Sequence, residues 1–253
     1  MIISAVRSAA TYVLVSLYVI LVGPIGMLLA LVFRWKGLLY ALGHVGVRLG
    51  FLLSGISFTV KGAEHVPSDR AVVFCSNHQS NIDPPVLFEA LHRRVHILYK
   101  HELDALPILA RAFRLGGFIP VDRRNKEAAM RSIDSGARSI RQGNSFLIFP
   151  EGTRSRTDDL LPFKKGGFIM AIKAGAPIVP VAIRGGRAAM RRGSWLIHPV
   201  VTSVRVGAPI ETAGLALDAR DELIGRVRAA IEELIDADVA GASASVGAAV
   251  RPL

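Results

Sequence analysis

The sequence predicts an α/β fold in which a mixed sheet is flanked by helices and is preceded by a membrane-anchoring pair of helices. Two observations support this prediction. From residue 55 onward, short runs rich in β-branched and aromatic residues alternate with longer runs of helical periodicity. Before residue 55, apolar stretches dominate the chain. Because 253 residues suffice for one substantial core, we expect a single globular domain beside the apolar segment.

The first predicted element is a membrane helix. Between Arg7 and Arg34 lie 26 residues without a charged side chain, enough as a helix to cross a hydrocarbon core of about 30 Å. A cleavable signal peptide fits less well, because the run is too long and a second apolar stretch follows it. Gly23 and Pro24 fall inside the run and are expected to kink or break the helix, so a bent or re-entrant insertion competes with a straight span.

The second predicted element is an amphipathic helix over residues 37–53. It follows Trp35, which has basic neighbours and is typical of a lipid–water interface. One stripe carries His44 and Arg48, whereas the opposite stripe carries leucines, a pattern that favours a helix in the headgroup boundary. We therefore interpret residues 1–54 as a membrane-anchoring helical hairpin. The alternative is a core hairpin of a soluble domain, which the apolar character of the first run disfavours.

The remaining elements alternate along residues 55–237, the predicted catalytic domain. The predicted strands are 56–61, 71–76, 95–99, 145–149, 177–183 and 201–206. The predicted helices are 84–92, 102–115, 125–141, 166–174 and 218–236, and Gly143 is expected to end the third. Residues 238–253 are rich in Ala, Gly and Ser, so we predict a disordered tail there.

A formal charge of +11, from 31 basic and 20 acidic residues, favours anionic partners. Phospholipid surfaces, phosphorylated substrates, acidic carrier proteins and nucleic acid all qualify, but nucleic acid ranks last because only 7% of the residues are aromatic and the apolar segment would be unexplained. A basic group late in the chain is either a solvated face or a dock for anionic lipid or an acidic carrier; it consists of Arg184, Arg187, Arg191 and Arg192. Because paired His or Cys residues with zinc-ligand spacing are absent from the sequence, we predict no metal site. Apart from His78, the histidines have no evident partners and are interpreted as structural or surface residues.

The turn after the second predicted strand carries an imidazole and a carboxylate. His78 leaves the strand, and Asp83 begins the next helix with Pro84 and Pro85 just inside, as an N-cap would. Across this tight turn, the carboxylate can fold back onto one ring nitrogen and leave the other to accept a proton. The alternative is a chance pair in which Asp83 only caps a helix. The first interpretation predicts a general base that activates a hydroxyl group.

Two further segments have the chemistry of a phosphate site. After the strand 145–149, Glu151-Gly152-Thr153-Arg154 offers backbone amides, a hydroxyl and a guanidinium that Glu151 could hold in place. A surface turn with an ion pair is the alternative. The segment 116–124 ends in two arginines, of which Arg123 is the functional candidate. In the strand 178–183, Pro180 cannot donate to a ladder and so predicts an edge, a bulge or the border of a ligand channel.

In this order, the motifs Asn-His-Gln-Ser-x-x-Asp, Gly-Phe-Ile-Pro-Val-Asp-Arg, Phe-Pro-Glu-Gly-Thr-Arg-Ser and Val-Pro-Val resemble those of bacterial 1-acyl-glycerol-3-phosphate acyltransferases, of the lysophospholipid acyltransferase superfamily. The resemblance covers about residues 55–210 and implies a glycerolipid acyltransferase-like fold. It implies that His78, oriented by Asp83, takes the proton from the 2-hydroxyl of lysophosphatidic acid. It also implies a glycerophosphate site and an acyl-donor region, the former from Lys100, Arg123, Glu151, Gly152, Thr153 and Arg154, and the latter bordered by Pro180.

The same resemblance implies the partners. An acyl thioester, acyl-CoA or acyl carrier protein, is the expected donor, phosphatidic acid is the product, and neither a metal nor another cofactor is required. The hairpin would seat the site on membrane phospholipid at the cytoplasmic side of the inner membrane. Two alternatives stay open: an acyltransferase acting on glycerol-3-phosphate, another lysophospholipid or a lyso-ornithine lipid, and a non-catalytic basic protein that binds membranes.

Overall fold

The computed structural model of the protein describes residues 2–91 and 94–242. Seven strands form one sheet in the order β1-β7-β6-β2-β5-β3-β4, with every neighbouring pair parallel except β6 and β7. The strands are β1 Ser57–Lys61, β2 Val73–Ser76, β3 Val95–Lys100, β4 Ile119–Val121, β5 Ser145–Ile148, β6 Ile178–Arg184 and β7 Val201–Val206. The predicted mixed sheet is therefore confirmed.

Helices cover both faces of the sheet, as predicted. They are α1 Ile2–Val32, α2 Lys36–Ser54, α3 Asp83–Ala90, α4 Pro107–Leu115, α5 Lys126–Arg141, α6 Gly166–Ala174, α7 Gly186–Ala189 and α8 Arg220–Ala242. The predicted helix 102–115 is divided into a 3₁₀ turn, His101–Ala105, and α4. Pro107 explains the division, because its ring favours the first turn of a new helix and cannot continue the preceding one.

The last helix continues beyond the predicted domain boundary at residue 237. α8 ends at Ala242, and the Asp238 carboxylate lies 2.8 Å from Arg205 Nε and accepts a 2.6 Å hydrogen bond from Ser203 Oγ. Burial alone would raise the pKa of Asp238, but the hydrogen bonds from Arg205 and Ser203 and the charges of Arg205 and Arg184 outweigh it, so the pKa is lowered. These contacts with β7 stabilise the end of a helix that composition alone assigned to a tail. The rest of that predicted tail, residues 243–253, lies outside the described residues.

The central strand β2 separates two apolar cores. All four of its residues are buried. Phe74 packs into the core beneath α3, whereas Val73 and Cys75 pack into the core beneath α5, α6 and α8. The alternation is that of a strand covered on both faces. The residues after Ser76 therefore leave the middle of the sheet at its carboxyl edge, where open α/β sheets bind ligands.

α1 is one continuous helix through Pro24, so the predicted break does not occur. Its 31 residues correspond to a length of about 46 Å. Both α1 and α2 are long and apolar enough to cross a membrane, and only a small share of either helix is buried, unlike a core helix of a soluble domain. We call α1 and α2 together the anchor hairpin.

The hairpin lies against the domain at more than one place. Near the start of α1, Ser8 Oγ accepts a 2.8 Å hydrogen bond from the Ile197 amide. Farther along, Gly23 faces Ile108 of α4, so closely that a Cβ at position 23 would lie 3.2 Å from the Ile108 side chain. α1 therefore runs along the domain surface rather than projecting away from it.

The polar stripe of α2 faces the domain, and its partner is the buried carboxylate of Glu89 in α3. His44 Nδ1 contacts Glu89 Oε1, and Arg48 Nε donates to Glu89 Oε2 at 3.0 Å. The His44 ring also stacks on Phe88, with centroids 4.3 Å apart. The expectation that His44 lacks a partner is wrong, because sequence spacing within one helix does not reveal a carboxylate 45 positions away.

We predict that H44A/R48A lowers the free energy of unfolding by about 3 kcal/mol, because it leaves the buried Glu89 carboxylate without both partners. Denaturant titration of the detergent-solubilised protein, followed by circular dichroism, measures the change. The control R131A removes an exposed pair, Arg131–Glu127 at 3.8 Å on α5, and should change the free energy by less than about 0.5 kcal/mol. Equal effects of both variants would contradict a stabilising role for the Glu89 cluster.

Candidate active site

The chain leaving β2 is fixed by a side chain that substitutes for a strand neighbour. Asn77 Nδ2 donates to the Ile183 carbonyl at 2.9 Å, and Asn77 Oδ1 accepts from the Ile183 amide at 2.8 Å. Asn77 is buried, so these bonds also satisfy a polar group that would otherwise be costly to bury. Through this side chain, the chain stays bonded to β6 one residue beyond the end of β2. The two bonds therefore fix where the turn that begins with His78 leaves the sheet.

The structure brings His78 and Asp83 together, as predicted. His78 Nδ1 lies 2.9 Å from Asp83 Oδ2, and the carboxylate is fully buried. Since a carboxylate only accepts hydrogen bonds, Nδ1 carries the hydrogen in the neutral ring and Nε2 carries the lone pair. The His78 side chain keeps 15% of its surface exposed, and Nε2 has no hydrogen bond within the described residues. The pair has the arrangement of an oriented general base.

Asp83 organises the turn rather than capping its own helix, which corrects the predicted N-cap. Its Oδ2 accepts 2.7 Å hydrogen bonds from the amides of Gln79 and Ser80, and no side-chain cap bond is formed at the start of α3. Pro84 and Pro85, in the first turn of that helix, have no N–H groups to offer a capping carboxylate. The carboxylate therefore points back over the preceding residues, where His78 lies.

A glycine that the sequence analysis did not select lies against the same carboxylate. A Cβ at Gly186 would overlap Asp83 Oδ1 and would lie 3.1 Å from Ser80 Cβ. Nearby, Ser80 Oγ donates to the Met190 carbonyl at 2.8 Å. The turn is thus packed tightly against the segment after β6, and the position of Asp83 depends on a residue without a side chain there.

Glu151 holds the backbone of His78 and not, as predicted, the guanidinium of Arg154. Its Oε1 accepts from the His78 amide at 2.8 Å, and its Oε2 accepts from the Leu161 amide at 2.9 Å. The side chain is almost fully buried, and this burial raises the pKa of Glu151. A carboxylate that is already committed to two amides beneath the turn is a positioning group rather than a phosphate ligand.

Two further contacts join His78 to the turn that contains Glu151. The Ser155 amide donates to the His78 carbonyl at 2.8 Å, so the backbone of His78 is bonded on both sides. The imidazole stacks on the Phe149 ring, with centroids 4.2 Å apart and planes 27° apart. His78 and the turn after β5 therefore form one connected unit.

Most of the predicted phosphate ligands come together beside this unit. The Arg123 guanidinium, after β4, donates to the Gly152 carbonyl, after β5. Gly152 has a φ of 69°, which favours glycine, and Thr153 beside it is exposed. The Arg154 side chain is half-buried. This cluster presents hydroxyl, amide and guanidinium groups of the kind that bind phosphate.

Lys100 and Pro180 are placed differently. Lys100 is exposed at the end of β3, where its ammonium group lies 2.9 Å from Glu102, and no hydrogen bond joins it to the phosphate cluster within the described residues.

Pro180 lies in β6, a central strand, so the predicted edge position is wrong. The predicted bulge is supported, because the register with the antiparallel chain shifts by one residue between the pairs that flank Pro180. Its buried ring lies against Gly207, which also faces Leu234 of α8.

An apolar cavity of about 510 Å³, not predicted from the sequence, lies between the anchor hairpin and the domain. Pro84 and Pro85, next to Asp83, form part of its wall, so the cavity adjoins the catalytic candidates. Phe88, Ile97 and Phe118 continue the apolar lining. Across residues 2–91 and 94–242, no group of three or more His, Cys, Asp or Glu side chains could hold a metal ion.

We predict that ¹⁵N spectra of the neutral imidazoles show His78 protonated at Nδ1. His65 serves as an internal reference, because its Nδ1 lies 2.9 Å from the Val206 carbonyl, which can only accept a hydrogen bond. Both rings should therefore give the same tautomer. A His78 signal with the hydrogen on Nε2 would show that Asp83 does not orient the ring.

The sequence is similar to those of known acyltransferases. The family model described as Acyltransferase matches residues 57–184. A 1-acyl-sn-glycerol-3-phosphate acyltransferase from Limnanthes douglasii is 33% identical over 206 residues, which cover 79% of this chain and 72% of that protein. One from Borreliella burgdorferi is 34% identical over 137 residues, which cover 54% of this chain and 55% of that protein.

The fold is also that of a solved structure. A 1-acyl-sn-glycerophosphate acyltransferase from Thermotoga maritima superposes with a TM-score of 0.78 at 23% identity, covering 91% of this chain and 95% of the other. The region matched by the family model contains His78, Asp83 and the turn after β5. The resemblance inferred from the four motifs is confirmed, and the chain belongs to the acyltransferase family.

Proposed function

We propose that the protein transfers an acyl group from an acyl thioester to the 2-hydroxyl of 1-acyl-glycerol-3-phosphate, forming phosphatidic acid. The observation that carries the proposal is the 2.9 Å contact between His78 Nδ1 and the buried Asp83 carboxylate, which leaves Nε2 available to a substrate. The names of the two sequence relatives support the choice of acceptor. The donor is acyl-CoA or acyl carrier protein.

The chemistry follows from the tautomer. His78 Nε2 accepts the proton of the 2-hydroxyl while that oxygen attacks the thioester carbonyl, and the buried carboxylate of Asp83 stabilises the imidazolium that forms. Collapse of the tetrahedral intermediate forms the ester and breaks the carbon–sulfur bond. The imidazolium then returns the proton to the departing thiolate. Transfer is direct between two bound substrates, without an acyl-enzyme.

The phosphate cluster sets where the acceptor lies. Arg123 and Arg154 supply guanidinium groups, and Gly152 and Thr153 supply a backbone amide and a hydroxyl for the phosphomonoester. Because Glu151 and Ser155 bond the same turn to the backbone of His78, the phosphate site and the base keep a fixed separation. Binding the phosphate would therefore bring the 2-hydroxyl to Nε2 and lower the entropic part of the barrier.

The cavity and the anchor hairpin suit lipid substrates. A cavity of about 510 Å³ with an almost wholly apolar lining has the size and chemistry of a ligand pocket, and we assign it to an acyl chain. The exposed apolar faces of α1 and α2 would place its opening at the membrane. This proposal puts the protein at the cytoplasmic side of the cell membrane, with the donor arriving from water.

The test is an acyl-transfer assay with the full chain in mixed micelles, offering acyl-CoA and acyl carrier protein as donors. H78A should lower transfer by about 10²–10⁴-fold, because it removes the general base. The control H65A removes an exposed histidine that follows β1. Because β1 runs antiparallel to β2, the residues after β1 lie at the edge of the sheet opposite to His78. It should leave transfer unchanged.

Three results would contradict the proposal. Full acyl transfer by H78A would exclude His78 as the general base. If the wild type transfers no acyl group while both it and H78A bind vesicles, the protein is a non-catalytic membrane protein. In a panel of acceptors, lysophosphatidic acid should be used best. A preference for glycerol-3-phosphate or for a lysolipid without a phosphomonoester would contradict the assigned acceptor.

A further inference from the structure

The segment between α7 and β7 exposes a tryptophan beside two arginines. Trp195 keeps 56% of its surface exposed, and Arg191 and Arg192 are exposed as well. An indole with one apolar and one hydrogen-bonding edge is suited to the boundary between lipid and water. Arginines next to it are suited to anionic headgroups. We call Arg191–Trp195 the tryptophan loop.

The loop is held against the first part of α1. Tyr12 Oη donates to the Trp195 carbonyl at 2.9 Å, and Ser8 bonds Ile197 two residues later. The neighbouring turns of α1 expose large apolar side chains, including Ile3 and Val13. The tryptophan loop therefore continues the apolar surface of the anchor hairpin and is fixed to it by hydrogen bonds.

Two of the four arginines in the basic group predicted from the sequence are paired with carboxylates, and two are not. Arg184 lies 3.4 Å from Asp238, and Arg187 lies 3.7 Å from Asp158. Arg192 donates to the carbonyl of Arg154, and among residues 2–91 and 94–242 it has no ion pair that would compensate its charge. Arg191 has no ion pair within the described part of the chain. The uncompensated charges are thus the two that stand next to Trp195.

The other tryptophan lies at the far end of α1. Trp35 follows the helix and keeps 65% of its surface exposed, and the helix rises by about 30 Å between Tyr12 and Val32. α1 contacts the domain near Ser8 and again at Gly23, where α4 lies. If α1 crossed the membrane along its normal, α4 and its two arginines would therefore lie in the hydrocarbon core. An orientation of α1 along the membrane surface avoids this and places both tryptophans at one interface.

We propose that the tryptophan loop is a second membrane contact, in which Trp195 inserts at headgroup depth and Arg191 and Arg192 bind anionic phospholipid. The proposal rests on the proposed function only in requiring that the anchor hairpin binds the membrane. Contacts at both ends of α1 would fix the tilt of the domain over the bilayer. The site would then face the lipid acceptor in a constant orientation.

Only two tryptophans occur in the chain, so each can be observed alone. W35F leaves Trp195 as the single indole, and W195F leaves Trp35. The full chain is reconstituted into phosphatidylglycerol–phosphatidylcholine vesicles whose acyl chains are brominated at defined depths. In W35F, fluorescence should be quenched most by the shallowest bromines. Fluorescence that no bromine quenches but that aqueous acrylamide quenches fully would overturn the proposal.

The same measurement on W195F separates the two claims. Quenching of Trp35 without quenching of Trp195 would mean that the anchor hairpin inserts and the tryptophan loop does not. If neither indole is quenched, membrane attachment itself fails, and the proposal fails with it.

The role of the two arginines is tested by R191Q/R192Q in the W35F background. In anionic vesicles, the quenched fraction of Trp195 should fall, since each arginine near the surface contributes about fivefold to partitioning. In vesicles of phosphatidylcholine alone, the same change should have little effect. The control R131Q/R138Q removes two exposed arginines from α5 and should not alter the quenching. Equal loss in both variants would contradict a local role for the loop arginines.

Discussion

One carboxylate oxygen determines the geometry of the site. Asp83 Oδ2 accepts hydrogen bonds from the His78 ring and from the amides of Gln79 and Ser80, while its side chain is fully buried. Burying a charge costs several kcal/mol unless charged or hydrogen-bonded partners compensate it. Three donors converge on this oxygen only if the turn returns on itself. The cost of burial therefore selects the conformation that also aims His78 Nε2 outward.

The turn is braced from three directions. Asn77 bonds it to β6, Glu151 bonds it to the turn after β5, and Gly186 packs against it without a side chain. A fourth connection comes through α3, which carries Asp83 at its start and Glu89 near its end. Because Glu89 bonds the anchor hairpin, one short helix of eight residues links the two apolar N-terminal helices to the Asp83 carboxylate. For the proposed reaction on a lipid, this short connection would keep the anchor hairpin and His78 in one relative position.

The sequence was informative where local rules decide the structure. The distance of five positions between His78 and Asp83, with a buried strand before and prolines after, made their contact one of two interpretations, and the order of the four motifs favoured it over a chance pair. Partners far apart in the chain could not be predicted: Glu151 bonds an amide 73 positions away, and nothing local distinguishes that contact from an ion pair with Arg154. Gly186 was missed for the same reason. For Pro180 the local rule left an edge, a bulge and a channel border open, and only the structure shows a bulge that accommodates this proline in a central strand.

Asp83→Asn tests the central claim most directly, because it removes the charge and keeps both the volume and one acceptor oxygen for the two amides. The measurement is the rate constant of acyl transfer, together with KM for lysophosphatidic acid and the circular dichroism spectrum. We expect the rate constant to fall by about 10²–10⁴-fold, with KM within about threefold of the wild type and an unchanged spectrum. A rate constant equal to that of the wild type would contradict the assignment of Asp83 as the group that orients and stabilises the catalytic imidazole.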